Sequence, residues 1–216
     1  DPVKFSDMIM FNRYGSWGKD SDKVNSLHPN KPIFMSEYGK ELNAENPDEA
    51  FIDAKEMMDA MRGREYLMGV SLWTFNDYRS FWKANPTWTT PPSQNRTWGV
   101  VTTLREKKQP YFAFRREYAP VKSLTFQADA GANSGNVTLT PRGKLDLPAY
   151  PMRGYRLLWA TFDEAGKVTS GSFTELPEIL PGDAFKSFPM SWPSENAARL
   201  EIHLLDPQDY SVLDTV

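Results

Sequence analysis

The sequence predicts two folds in succession, an α/β half built from parallel strands with crossover helices and an all-β half of short antiparallel strands. Three observations carry this. Apolar runs at residues 7–11, 32–35 and 66–73 are spaced by crossover lengths. The second and third are separated by an amphipathic segment with helix start and stop signals. Beyond residue 121 the chain breaks into short alternating segments punctuated by turn residues.

Asp7-Met8-Ile9-Met10-Phe11 reads as a buried strand ending at Asn12, with Tyr14 and Trp17 just past its carboxyl end. Residues 15–30 are polar and rich in Gly, Asp, Ser and Asn, which predicts a loop with at best a short helix over 22–27. Pro32-Ile33-Phe34-Met35 then breaks abruptly into Ser36-Glu37-Tyr38-Gly39, so a carboxylate stands where a strand ends. Parallel α/β architectures keep their chemistry at such ends. A lone glutamate there ordinarily caps a turn or pairs with an arginine, but here the flanking strand ends, 9–14 and 72–78, are rich in aromatic residues.

Asn46 is a good helix N-cap, Pro47 suits the first helical position, and Glu49 completes a capping box. Ala50, Phe51, Ala54, Met57, Met58 and Met61 form one apolar stripe, and Gly63 stops a helix expected to reach about Arg62. Methionines 57, 58, 61 and 68 read as core at that spacing. The strand over 66–73 closes a right-handed parallel βαβ unit. Residues 76–95 predict a long loop carrying Trp82 and Trp88, and Gln109-Pro110 opens a last helix over 111–118.

Seven strands are expected in the second half, at 124–128, 136–140, 155–162, 168–174, 184–190, 198–205 and 210–216. That count and spacing predict an immunoglobulin or fibronectin III-like β-sandwich. Trp159 falls in phase with Tyr155 and Leu157, which makes it core rather than a glycan platform, and Glu164-Ala165-Gly166-Lys167 reads as a hairpin turn. The domains are placed at 1–119 and 120–216.

Composition narrows the function. A chain of 216 residues that is 40% hydrophobic and 13% aromatic supports packed cores. A formal charge of −3 offers no basic face for phosphates, which argues against nucleic acid as a partner. No apolar run approaches the roughly 20 residues that cross a bilayer, so no membrane partner is expected. The absence of cysteine excludes disulfides, thiolate metal sites and a cysteine nucleophile, and the two histidines, His28 and His203, read as structural. Neither a metal nor a cofactor is called for.

Asn12-Arg13-Tyr14-Gly15-Ser16-Trp17, residues 32–39, residues 71–78, Trp98-Gly99-Val100-Val101-Thr102 and residues 107–114, in this order, resemble the C-terminal part of a family 2 glycoside hydrolase barrel. The resemblance covers about residues 1–118. It implies the last three βα units of a (β/α)8 TIM barrel, ahead of the sandwich, and a retaining β-glycosidase with a carbohydrate substrate. By resemblance Glu37 is the nucleophile, Tyr14 assists it, and Asn12, Trp73, Asp77 and Trp98 contact the sugar. The family's acid/base glutamate follows an asparagine, and no Asn-Glu dipeptide occurs here. Asp7, Glu41 and Glu45 are nearby alternatives, none at a candidate strand end. The acid/base residue is therefore expected upstream, with this chain an inactive fragment that associates with the rest of its barrel or with itself. The β-glucuronidase Asn-x-Lys motif is replaced by Asn95-Arg96-Thr97, which lacks the lysine and favours a β-galactoside, with Arg96 keeping a glucuronidase alternative. The remaining alternative is a non-catalytic glycan-binding or domain-docking fragment.

Overall fold

The computed structural model describes residues 2–80, 95–193 and 197–215. The chain is mostly β and divides into two compact units, Asp1–Glu117 and Tyr118–Val216.

In the first unit β1 (Ile9–Arg13), β2 (Ile33–Tyr38) and β3 (Leu67–Leu72) form a parallel sheet in chain order, with β2 in the middle. Helix α2 (Pro47–Asp59) connects β2 to β3. It forms where the sequence places its signals: the Asn46 side chain accepts the Glu49 N–H at 2.7 Å, Pro47 opens the first turn, and Gly63 adopts φ +80° beyond the end. Ala50, Ala54, Met57, Met58 and Met61 are at most 1% exposed, and the Tyr38 hydroxyl donates to the Met58 sulfur at 3.1 Å. Each fully buried methionine contributes roughly 1.5–3 kcal/mol, so this stripe is what fixes α2 against the sheet.

The segment expected to be mostly loop holds an 11-residue helix instead, α1 (Trp17–Leu27). Its buried positions are Gly18 and Ser21, residues that leave no apolar stripe in the sequence. Gly18 lies so close to the end of α2 that a Cβ would come within 2.1 Å of the Ala60 carbonyl oxygen. Tight backbone approach replaces side-chain burial here.

After β3 the chain runs out through β4 (Tyr78–Arg79), which pairs antiparallel with β5 (Asn95–Arg96), two short strands where a plain loop was expected. Trp82 and Trp88 lie outside the described residues. Residues 98–101 then lie alongside 74–77: Thr74 N–H donates to the Trp98 carbonyl (3.3 Å), Val101 N–H to the Phe75 carbonyl (3.0 Å) and Asp77 N–H to the Val101 carbonyl (2.9 Å). Helix α3 (Gln109–Tyr118) follows.

The second unit contains β6 (Val121–Ala128), β7 (Ser134–Pro141), β8 (Arg156–Phe162), β9 (Val168–Glu175), β10 (Lys186–Ser191), β11 (Arg199–Leu205) and β12 (Ser211–Thr215). They form antiparallel sheets ordered β10-β7-β6 and β12-β11-β8-β9. Val137 and Leu139 of the first sheet and Leu157, Trp159, Ile202 and Leu204 of the second share one buried core, as in immunoglobulin-like sandwiches. Alternation along β8 is strict, so Leu157, Trp159 and Thr161 face that core while Arg156, Leu158 and Phe162 are less buried. The turn at 164–167 closes with the Lys167 N–H on the Asp163 side chain at 2.8 Å.

Candidate functional site

Glu37 owes its direction to one extra residue. Strict alternation from Ile33 and Met35 would carry residue 37 into the face that packs on the helices. In the register with β1, Phe11 opposes Met35 but Asn12 opposes Glu37, so Ser36 has no counterpart. The pairing with β3 is irregular over the same stretch, between Met35 and Tyr38. The bulge changes the phase: Tyr38 is fully buried against Met58, while Ser36 and Glu37 are only half-buried. Re-aiming a side chain in this way is a recurrent use of bulges beside functional sites.

The Tyr14 hydroxyl, just past the end of β1, donates a hydrogen bond to the Glu37 carboxylate. Burial, this hydrogen bond and the negative charge of Glu37 together push the Tyr14 phenol well above its ordinary range, so it acts as a donor and not as a phenolate.

Aromatic contacts extend from this pair. Tyr14 meets Trp98 edge-to-face, with ring centres 5.2 Å apart. The Arg96 guanidinium lies 5.0 Å from the centre of the Trp98 ring and 5.8 Å from that of Tyr78. Tyr78 makes an edge contact with Trp73 at 5.8 Å, and the Trp73 indole N–H donates to the Tyr78 hydroxyl at 3.0 Å. Trp73 is reached from β2 through its backbone: its N–H donates to the Tyr38 carbonyl at 2.8 Å, and a Cβ on Gly39 would lie 2.5 Å from the Trp73 carbonyl oxygen. A continuous series, Glu37, Tyr14, Trp98, Arg96, Tyr78 and Trp73, thus joins four parts of the chain distant in sequence. Edge-to-face rings beside a carboxylate set apolar surface next to a polar group, which suits a ligand with both apolar faces and hydroxyls.

Of the residues singled out from sequence, Glu37, Tyr14, Trp98 and Trp73 come together in this series. Asn12 stands opposite Glu37 on β1, and its side-chain oxygen accepts from the Ser36 hydroxyl at 2.7 Å. Asp77 departs from the expectation of sugar contact. It is 7% exposed, and its carboxylate accepts the Gly99 N–H at 2.8 Å and the Lys108 ammonium at 3.1 Å, which turns it inward onto the neighbouring loop. Sequence reasoning did not place Tyr78 or Lys108 in the site. Tyr78 follows Trp73 by five residues in the same aromatic run, which was the available signal; Lys108 had none. Among the carboxylates considered as a second acid, Glu41 accepts from the Thr97 hydroxyl at 3.2 Å, and Asp7 and Glu45 are exposed. Among the described residues, no group of three or more His, Asp or Glu side chains is arranged to hold a metal ion.

No family model matches the chain, and no curated protein matches it. Solved structures similar to it at low identity include a β-glucuronidase of Faecalibacterium prausnitzii, with 19% identity and a TM-score of 0.40 over 50% of this chain and 21% of that one. A GH2 β-galacturonidase of Eisenbergiella tayi bound to galacturonate has 21% identity and a TM-score of 0.39 over 49% of this chain and 22% of that one. A β-glucuronidase of Bacteroides uniformis has 14% identity and a TM-score of 0.42 over 93% of this chain and 24% of that one. The chain thus spans about a fifth to a quarter of the length of these glycosidases.

Proposed function

We propose that this chain carries the nucleophile side of a retaining β-glycosidase site, as the last three βα units of a TIM barrel followed by a sandwich, with Glu37 as the attacking carboxylate. The observation that carries the reading is the Tyr14 hydrogen bond onto Glu37 at a bulged strand end, within a series of aromatic rings. In retaining hydrolysis a carboxylate oxygen bonds to the anomeric carbon while the glycosidic C–O bond breaks and an acid protonates the leaving oxygen. Water then cleaves the glycosyl ester, with the acid now acting as base. Tyr14 orients the Glu37 carboxylate through its hydrogen bond, and Trp98 and Trp73 wall the sugar. The second carboxyl group, which must stand roughly 5–5.5 Å away, is assigned to sequence outside these residues.

The lack of the lysine in Asn95-Arg96-Thr97 supports a neutral β-galactoside. The position of Arg96 supports a second reading. Its guanidinium is placed between the Trp98 and Tyr78 rings, one ring removed from Tyr14, where it would attract a sugar carboxylate and so a β-uronoside. Comparing kcat/KM for aryl β-galactosides and aryl β-uronosides separates the two.

The nucleophile assignment is tested in a protein that joins this segment to its remaining barrel strands. Glu37→Gly removes attack and keeps the acid, so azide should restore cleavage of an activated aryl β-glycoside and give the α-glycosyl azide. A β-glycosyl azide would make Glu37 the acid/base residue and overturn the assignment.

A further inference from the structure

Lys108 lies outside the aromatic series, yet its side chain reaches the segment that carries the series. The ammonium nitrogen contacts the Gly99 carbonyl at 2.8 Å, the Asp77 carboxylate at 3.1 Å and the Thr97 carbonyl at 3.4 Å. Its three N–H donors therefore meet three acceptors. Two of those acceptors are the carbonyls on either side of Trp98. The third, Asp77, also accepts the Gly99 N–H at 2.8 Å, so the same carboxylate binds the ammonium and the backbone that the ammonium holds. Both charged side chains are well buried, at 17% and 6% exposure, where an ion pair is weakly screened and geometry is strictly held.

The backbone of Lys108 is already fixed without its side chain. Its N–H donates to the Val100 carbonyl at 3.1 Å, and its carbonyl accepts the Tyr111 N–H at 3.0 Å at the start of α3. The ammonium is therefore not needed to begin the helix. What it adds is control of residues 97–99. Trp98 projects from the centre of that stretch onto the Tyr14 ring at 5.2 Å and under the Arg96 guanidinium at 5.0 Å.

We propose that Lys108, with Asp77, is a positioning residue that sets the Trp98 indole against Tyr14 and Arg96 by clamping the carbonyls on both sides of Trp98. The clamp itself follows from geometry, and its consequence for sugar binding rests on the glycosidase reading above.

Two readouts test it, the first on the chain itself. The first is the set of nuclear Overhauser contacts between the Trp98 indole and the Tyr14 ring, assigned with Trp98→Phe and Tyr14→Phe. Lys108→Met is expected to abolish these contacts and move the Trp98 indole N–H resonance, while Lys108→Arg restores them at least in part. Met57→Ala, a cavity in the α2 core far from residues 97–99 in the chain, supplies a variant of lowered melting temperature that should keep them. If Lys108→Met does not fold, Asp77→Asn takes its place, since it keeps an acceptor for the Gly99 N–H and removes the charge that holds the ammonium. Contacts that persist in Lys108→Met or Asp77→Asn, or that vanish equally in Met57→Ala, overturn the proposal. The second readout, taken in the protein that joins this segment to its remaining barrel strands, is binding of phenyl 1-thio-β-D-galactoside and phenyl 1-thio-β-D-glucuronide, followed by tryptophan fluorescence. Whichever binds the parent should bind Lys108→Met on the order of tenfold more weakly, the scale of effect expected when a binding wall is misplaced. If neither thioglycoside binds the parent, the glycosidase reading fails while the Trp98–Tyr14 contacts still decide the role of Lys108. Undiminished binding together with lost contacts would overturn the link from clamp to sugar.

Discussion

Gly99→Ala is the substitution whose effect can be worked furthest from the structure. A Cβ at residue 99 would lie 2.1 Å from the Asp77 nitrogen and 2.2 Å from the Asn76 carbonyl carbon. Both are backbone atoms, so no side-chain rotation relieves the contact, and residues 98–101 must separate from 74–77 by about an ångström to reach ordinary van der Waals spacing. Overpacking of this kind costs about 1–3 kcal/mol. The displacement also breaks the 2.8 Å bond from the Gly99 N–H to the buried Asp77 carboxylate, a charge-assisted interaction worth about 1.5–3 kcal/mol. The sum is about 2.5–6 kcal/mol, which at about 4 °C per kcal/mol lowers the melting temperature of the first unit by about 10–24 °C. Gly131→Ala is the comparison: it has a positive φ of +71° but no atom within 4 Å of the added carbon, so it should cost about 1–2 kcal/mol. Urea unfolding read by tryptophan fluorescence, with calorimetry to assign each unit, measures both. A Gly99→Ala protein within about 1 kcal/mol of the parent would show that residues 98–101 do not pack against 74–77, and the clamp around Trp98 would fall with that packing.

Two further predictions concern titration. Glu37→Gln removes the hydrogen-bonded charge that raises the Tyr14 phenol but leaves the burial, so Tyr14 should ionise about five- to tenfold more readily, a change of about 1–1.4 kcal/mol once its partial exposure is allowed for. Alkaline titration of ¹³C-labelled tyrosine, assigned with Tyr14→Phe, reads this, and an unchanged Tyr14 titration would deny the contact. In the Asp22, Arg64 and Tyr66 cluster, the Arg64 hydrogen bond and then the Tyr66 hydroxyl hold the Asp22 carboxyl below its usual value. That contribution is present above about pH 4 and is lost as pH falls through the lowered value; Asp22 is 53% exposed, so it should stay below about 1 kcal/mol. Burial, then the bond to Asp22, raises Tyr66 to about 12, so its contribution is complete below about pH 10 and lost as pH rises towards 12. Urea midpoints across pH should show a smaller alkaline decline in Tyr66→Phe, and a decline of unchanged size there assigns it elsewhere.

The parts of the fold legible in the sequence are those whose signal is local. Sandwich strands such as β8 show because alternation along the strand reports which residues enter the core, as with Leu157 and Trp159. Helix α2 shows because cap, stripe and stop lie within one short window from Asn46 to Gly63. Helix α1 was mostly hidden because it buries Gly18 and Ser21, so its packing rests on small residues and close backbone approach rather than on apolar periodicity. The candidate site divides along the same line. Glu37 stood out by its place at a strand end, but the bulge that turns it away from the helix layer rests on Ser36, a residue whose type carries no such signal. For Asp77, sugar contact is what the family resemblance implies. Its actual partners, Gly99 and Lys108, lie 22 and 31 residues away, and only the folded loop brings them together.

The most direct test of the central claim is covalent trapping. A 2-deoxy-2-fluoro-β-glycosyl fluoride carries a leaving group that needs no acid, and its fluorine slows hydrolysis of the ester that forms, so the attacking residue is labelled and keeps the label. In the assembled barrel, galactosyl and glucuronyl versions of this reagent are incubated with the protein and its peptides are sequenced by mass spectrometry. The account predicts one sugar added to the Glu37 carboxylate, with labelling lost in Glu37→Gln and slowed in Tyr14→Phe. A label on any other carboxylate, with Glu37 unmodified, would contradict it.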